Sequence, residues 1–275
     1  MIELLKPYVD EVRVDKLENV IAIKKGKAKA PKVMLAAHMD EVGLMVKTIT
    51  KDGFIQFAKM GGIDDRVLLA QKVLVYSKKG VLPGVVGSKP PHIQKEEERK
   101  KIIAFDDLFV DVGADGRDDA VNMGVSVGDP IGFDVKYVNI GKDVVIGKAF
   151  DNRAGCVTMV EAMRLLEDVD CNVCAVGTVQ EEVGLRGAAA AAFGVDPDLA
   201  IALDVTIAGD VPGVREYDTS VKMGKGPALM ISDSGLITHP KVLRWFLDTA
   251  EEQIVPVQLE SGLLGSTDAA RIAIT

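Results

Sequence analysis

The sequence predicts an α/β domain interrupted, after its first buried strand, by an all-β insert. Three observations carry this reading. Residues 32–38, 173–179 and 199–203 are short, nearly continuous apolar runs, the pattern of strands covered on both faces of an α/β sheet. Residues 151–167, 184–193 and 240–253 have helical spacing or a helix-forming composition and alternate with those runs. Between about residues 43 and 134 the texture changes to short β-rich runs set apart by Gly, Pro and Lys turns. The α/β domain is therefore expected to be discontinuous, at 1–40 and 135–275, with the β-rich insert at 41–134.

In chain order, residues 2–6 read as the last turns of a helix, closed by Pro7. Strand-like alternation follows at 9–17 and 19–24, then the first buried strand at 32–38. The insert is expected to hold strands at 44–49, 67–76, 81–86, 108–112 and 130–133, with a charged, solvated loop or short helix at 94–101. The α/β texture returns from Asn139. Pro240 sits in the first turn of a helix that Thr238 or His239 can cap, and a last strand is expected at 255–259.

Composition narrows the class. A chain of 275 residues, 48% hydrophobic and 27% charged, can bury a core and is not disordered. Its net charge of −8 argues against a nucleic-acid groove or an anionic membrane surface, and 5% aromatic content against base-stacking platforms. Cys156, Cys171 and Cys174 are an odd set that fits a reducing compartment. With no apolar run of roughly 18 residues and no leader-like start, the expectation is a soluble cytoplasmic protein without nucleic-acid or membrane partners. Cys171-x-x-Cys174 lies in a buried strand and Met60-Gly61-Gly62 in a turn; both, like the scattered methionines, read as structural.

The chemistry gathers at strand ends. His38 and Asp40 follow the first buried strand, Glu181 and Glu182 the second, and Asp204 the third; Asp151 precedes a helix. In open α/β sheets, sites form at the carboxyl edge of the strands. So many acids at one edge would repel each other without a cation. One imidazole with several carboxylates suits Zn²⁺, Co²⁺ or Mn²⁺ rather than a thiolate-based structural zinc. Adjacent Glu181 and Glu182 offer one metal ligand and one general base between them. A carboxylate pair could also serve sugar hydrolysis, but that leaves His38 and Asp204 without a task.

The motifs His38-Met39-Asp40-Glu41-Val42-Gly43, Gly147 to Arg153 (GKAFDNR), Val179 to Gly187 (VQEEVGLRG) and Ala202 to Thr206 (ALDVT) resemble those of the tetrahedral, TET-type metallo-aminopeptidases. That family includes deblocking and glutamyl aminopeptidases and some members named as endoglucanases. Ser88 to His92 (SKPPH) and Thr267-Asp268-Ala269 match as well, so the resemblance spans nearly the whole chain. It implies a co-catalytic-metal peptidase domain, a mixed sheet flanked by helices, interrupted by a small β-barrel-like dimerisation domain. Dimers would build a dodecamer that admits peptides. It implies two divalent ions per subunit, Zn²⁺ or Co²⁺. His38 and Asp204 would hold one, Glu182 the other, and Asp151 would bridge them. Glu181 would be the base toward a two-metal-activated water that cleaves N-terminal residues from short peptides. Asp40 would orient the His38 ring, and the Asp151–Asn152 peptide would be cis.

The resemblance also implies differences. The family carries a further histidine ligand after the Thr-Asp-Ala segment, where this chain stops at Thr275, and a longer opening helix; the expectation is a chain truncated at both ends with a weakened second metal site. His92 and His239 do not match that ligand, and Leu263-Leu264-Gly265-Ser266 departs from the Gly-rich lead-in to Thr267. Two other readings therefore stay open: an inactive fragment or non-catalytic assembly subunit, and a related deacylase or carboxypeptidase.

Overall fold

The computed structural model describes residues 1–27, 29–262 and 265–275, so Leu263 and Leu264 lie outside the described residues. The chain forms two compact units, Met1–Asp40 with Phe150–Thr275, and Glu41–Ala149. The first unit opens with α1 (Ile2–Leu5), a 3-10 turn containing Pro7, and strands β1 (Glu11–Val14), β2 (Val20–Lys24) and β3 (Lys32–His38). The second holds β4 (Gly43–Ile49), β5 (Ile55–Met60), β6 (Lys72–Ser77), β7 (Gly80–Gly87), α2 (Glu96–Arg99), β8 (Phe109–Asp111), α3 (Arg117–Met123) and β9 (Pro130–Phe133), then β10 (Val138–Ile140) and β11 (Val144–Ile146). The first unit resumes with α4 (Phe150–Leu165), β12 (Asn172–Thr178), α5 (Arg186–Val195), β13 (Leu199–Ala202), β14 (Ala228–Ser232), α6 (Pro240–Glu252), β15 (Gln258–Ser261) and α7 (Asp268–Ile272).

The main sheet runs β1-β2-β12-β3-β13. β12, β3 and β13 are parallel; β2 joins β12 antiparallel and β1 forms a hairpin with β2, so the sheet is mixed. Alternation along the strands feeds two cores. Met34, Ala36, Cys174 and Val176 meet α5 and α7 through Ala188, Ala191, Ala192 and Ile272. Ala37, Val173 and Ala175 meet α1 and α4 through Leu5, Cys156, Met159 and Met163. Helices thus cover both faces, which is why these strands read as continuous apolar runs. Alanines predominate on α5, and short side chains let it lie close to the sheet.

β4-β5-β8-β7-β6-β9 close into a barrel. Its interior is filled by alternate residues of those strands, including Val46, Phe57, Val73, Val75, Val110 and Ile131. The mixed, helix-flanked sheet and the barrel-like insert are as expected. Several elements differ from the sequence reading. Residues 135–149, placed there with the α/β domain, group with the insert; among the described residues β10 and β11 pair with each other and not with the main sheet. The strand expected at 67–76 starts at Lys72, since Asp64 caps a 3-10 turn at Asp65–Val67. The strand expected at 255–259 starts at Gln258, because the end of α6 captures Val255, whose N–H donates to Ala250 O at 2.9 Å. Of the two candidate caps of α6, His239 takes the position: its Nδ1 accepts from Lys241 N at 3.2 Å.

Candidate metal centre

Parallel pairing puts the carboxyl ends of β12, β3 and β13 on one edge, with Thr178 opposite His38 and Ala202 opposite Ala36. His38 is the last residue of β3, and Asp204 lies two residues beyond β13. Asp151 arrives from the start of α4. Regular helix begins only after Asn152, since Asp151 (φ −80°, ψ 103°) and Asn152 (φ −125°, ψ 42°) are non-helical and the peptide between them is cis.

His38 is buried, with 2% of its surface exposed, and its Nε2 faces a ring of carboxylates. Asp151 Oδ1 lies at 3.0 Å, Asp204 Oδ1 at 3.7 Å and Glu181 Oε2 at 3.8 Å. Behind the ring, Nδ1 meets the Asp40 carbonyl at 3.1 Å. A carbonyl there requires Nδ1 to carry a proton, which leaves Nε2 as the nitrogen that faces the acids. Two groups that could each hold a metal ion result, with their ligand atoms within 4.8 Å of one another: His38, Asp151 and Glu182, and His38, Glu181 and Asp204.

The Asp40 carboxylate lies beside the ring, 3.7 Å from Nδ1, and its two oxygens also accept the consecutive backbone N–H groups of Glu181 and Glu182, at 3.1 and 3.2 Å. Its main-chain carbonyl, not its side chain, is nearer the imidazole. The loop that carries the two glutamates is closed on itself: Gly187 N donates to Val179 O, and Leu185 N to Glu181 O. Asn19, fully buried, anchors both ends, accepting from Val179 N at 3.0 Å and donating to Gly187 O at 3.1 Å.

Crowding of acids in a buried place shows in their protonation. Burial, with Asp151 next, pushes Glu182 up to about 7. Burial pushes Asp204 up to about 6 against the opposing pull of His38 and the Val205 amide. Glu181 is raised by burial and by Asp268 and Asp204, against His38. For His38, burial pulls downward, but the Asp151 hydrogen bond and the charges of Asp204 and Glu181 outweigh it, so the imidazole is raised. These groups share protons for want of positive charge. One imidazole nitrogen and several carboxylate oxygens, without a thiolate, suit a borderline divalent cation. The thiol of Cys156 is occupied elsewhere, donating to the His38 carbonyl at 3.1 Å, and burial raises its pKa.

The structure brings His38, Asp40, Asp151, Glu181, Glu182 and Asp204 together. His92 is exposed in a 3-10 turn of the insert, and His239 is exposed at the cap of α6. Sequence reasoning assigned no role to Asn19, Asn152, Thr178 or Asp268. Asp268 is 3% exposed; its Oδ2 accepts from Thr178 Oγ1 at 2.5 Å, and Oδ1 has no partner among the described residues. The signal available was Thr267-Asp268-Ala269, a motif match without local context.

Similarity to known proteins makes the chain a peptide hydrolase of the aminopeptidase class. The chain belongs to the M42 glutamyl aminopeptidase family, whose model matches residues 18–275. It is similar to the TET aminopeptidase of a marine-sediment Thaumarchaeota archaeon, with 43% identity and a TM-score of 0.96 over 100% of this chain and 77% of that one. It is 39% identical to the lysyl aminopeptidase of Pyrococcus furiosus, covering 94% of this chain and 73% of that protein. The Pyrococcus horikoshii TET1 peptidase, which assembles into a tetrahedron or a large octahedral shell, is 33% identical, with a TM-score of 0.86 over 98% of this chain and 79% of its own.

Proposed function

We propose that the chain removes N-terminal residues from short peptides at a site for two divalent ions, Zn²⁺ or Co²⁺. The observation that carries this reading is the convergence on His38 Nε2 of carboxylates from separate elements, Asp151, Glu181 and Asp204, at one sheet edge. His38 and Asp204 would hold one ion, Glu182 the other, and Asp151 would serve both. When bound, the ions would supply charge that polarises the scissile carbonyl and acidifies water.

The chain's own residues do the rest. Glu181 takes a proton from the attacking water and delivers it to the leaving amine; its burial makes it a better base than an exposed glutamate. Asp40 fixes the Glu181–Glu182 backbone through its two amide contacts, so the base and the neighbouring ligand are set in register. The Asp40 carbonyl holds the imidazole tautomer. Self-association to dimers and a dodecamer, with the insert as the dimerising part, is proposed from the shells formed by the P. horikoshii relative.

Glu181→Gln is expected to lower kcat by about 10³-fold or more while both ions stay bound; normal turnover sinks the assignment. One observation favours a variant reading: Glu181, not Glu182, shares a ligand set with His38 and Asp204. Metal content separates the two. The base variant keeps both ions, whereas the ligand variant, Glu182→Gln, loses one; the opposite pattern interchanges the roles.

A further inference from the structure

We propose that Asn152 is a positioning residue whose side-chain amide sets the spacing between Asp151 and Asp204. This rests on the metal-site reading above. Asn152 is 1% exposed, and its amide is used at both ends. Nδ2 donates to the Leu203 carbonyl at 2.8 Å, and Oδ1 accepts the Gly155 amide at 3.0 Å. Asn152 directly follows Asp151, and Leu203 directly precedes Asp204. One hydrogen bond therefore ties the residue after one candidate ligand to the residue before another, across elements that come from different parts of the chain.

The surroundings make this bond specific. A Cβ at Gly155 would lie 2.3 Å from Asn152 Oδ1 and 2.4 Å from Leu203 O, so only glycine lets the three approach. Leu203 has its other polar group engaged as well: its N–H donates to Ala36 O at 2.8 Å, two residues before His38. Cys156, one residue past Gly155, donates its thiol to the His38 carbonyl. The amide at 152 thus links the start of α4 to the end of β13, and the same helical turn touches the end of β3. Only a side chain with one donor and one acceptor satisfies Leu203 O and Gly155 N together; a carboxylate would set oxygen against oxygen at Leu203.

The test measures metal binding by the full chain with Co²⁺, by competition against a chelating indicator, together with the visible absorption of the bound Co²⁺. Asn152→Ala removes both contacts. Asn152→Asp keeps the size and the Gly155 contact, and carries the comparison if the alanine variant does not fold. Both are expected to weaken Co²⁺ binding at least tenfold and to alter the spectrum of the bound ion. Met163→Ala opens a cavity in the same helix, away from the amide, and is expected to leave affinity and spectrum unchanged despite lower stability. Unchanged affinity and spectrum in the Asn152 variants overturns the inference, as does an equal loss in Met163→Ala. If the unaltered chain takes up no Co²⁺, the metal reading fails and this one fails with it; normal uptake there with unaltered Asn152 variants refutes the positioning role alone.

Discussion

His38 has carboxylates on one side of its ring and a carbonyl on the other, and this sets how the metal-free chain responds to pH. Asp204 and Glu182 hold protons up to about 6 and about 7, whereas in an unfolded chain they lose them at about 4. The folded state therefore binds more protons than the unfolded state across that window. Stability from these groups is present below about pH 4 and is lost as pH rises through 6 and 7. The raised imidazole acts in the same direction, since a group held protonated by folding loses that contribution as pH climbs. The thermal midpoint in chelator is expected to fall by about 5 °C or more between pH 5 and pH 8, and added Zn²⁺ to restore more at pH 8 than at pH 5. A midpoint that is flat or rises over this range, or a Zn²⁺ effect larger at pH 5, refutes the proton-sharing account. The Asp204→Asn, Glu182→Gln double variant should flatten the slope, which ties it to these two groups.

At the scale of elements, the loop after β12 is the clearest case of backbone made for a site. Its ends are cross-bonded, Asn19 joins them, and a Cβ at Gly187 would lie 2.3 Å from Val179 O and 2.4 Å from Asn19 Oδ1. Both obstacles are fixed by other bonds, so neither can yield cheaply. Gly187→Ala is expected to cost about 1–3 kcal/mol in urea unfolding and to reduce activity by displacing Glu181 and Glu182; a variant with unchanged midpoint and turnover would show that the loop has slack. The same loop shows what was legible in the sequence. β3, β12 and β13 were readable because burial on both faces gives an apolar run, and their polar ends then marked the site. β5 and α3 were not, because only Ile55 and Phe57 of β5 are buried along the barrel wall and α3 buries only Ala120. Nor was β14, whose five residues are all half-buried. The candidate ligand residues could be named from spacing and resemblance. Asn19, Asn152 and the amide clamp of Asp40 could not, since each depends on a partner more than 50 residues away or on main-chain direction.

At the scale of the whole molecule, the insert is a unit with its own core. Every fully buried residue of that core lies between Leu44 and Ile131, and the barrel closes through strands of the same segment. Its two ends are joined by the Lys148–Glu41 ion pair at 2.5 Å, so the segment leaves where it enters. A closed barrel has no free edge to lose when cut out. Residues 41–149 expressed alone are therefore expected to fold and to unfold in urea in a single cooperative transition. The same fragment tests the proposed dimerising role. The β10–β11 hairpin presents Val138, Ile140, Val144 and Ile146 on one face, each between 38% and 48% exposed. A contiguous β-branched face of this kind is costly to leave in water and suits contact with another surface. Light scattering after size exclusion should give a dimer for the fragment at micromolar concentration, and a monomer when Val138 and Ile146 are replaced by Lys. A folded fragment that stays monomeric removes the dimerising role from the insert and leaves the barrel intact as a folding unit. An unfolded fragment shows instead that the barrel core needs the rest of the chain.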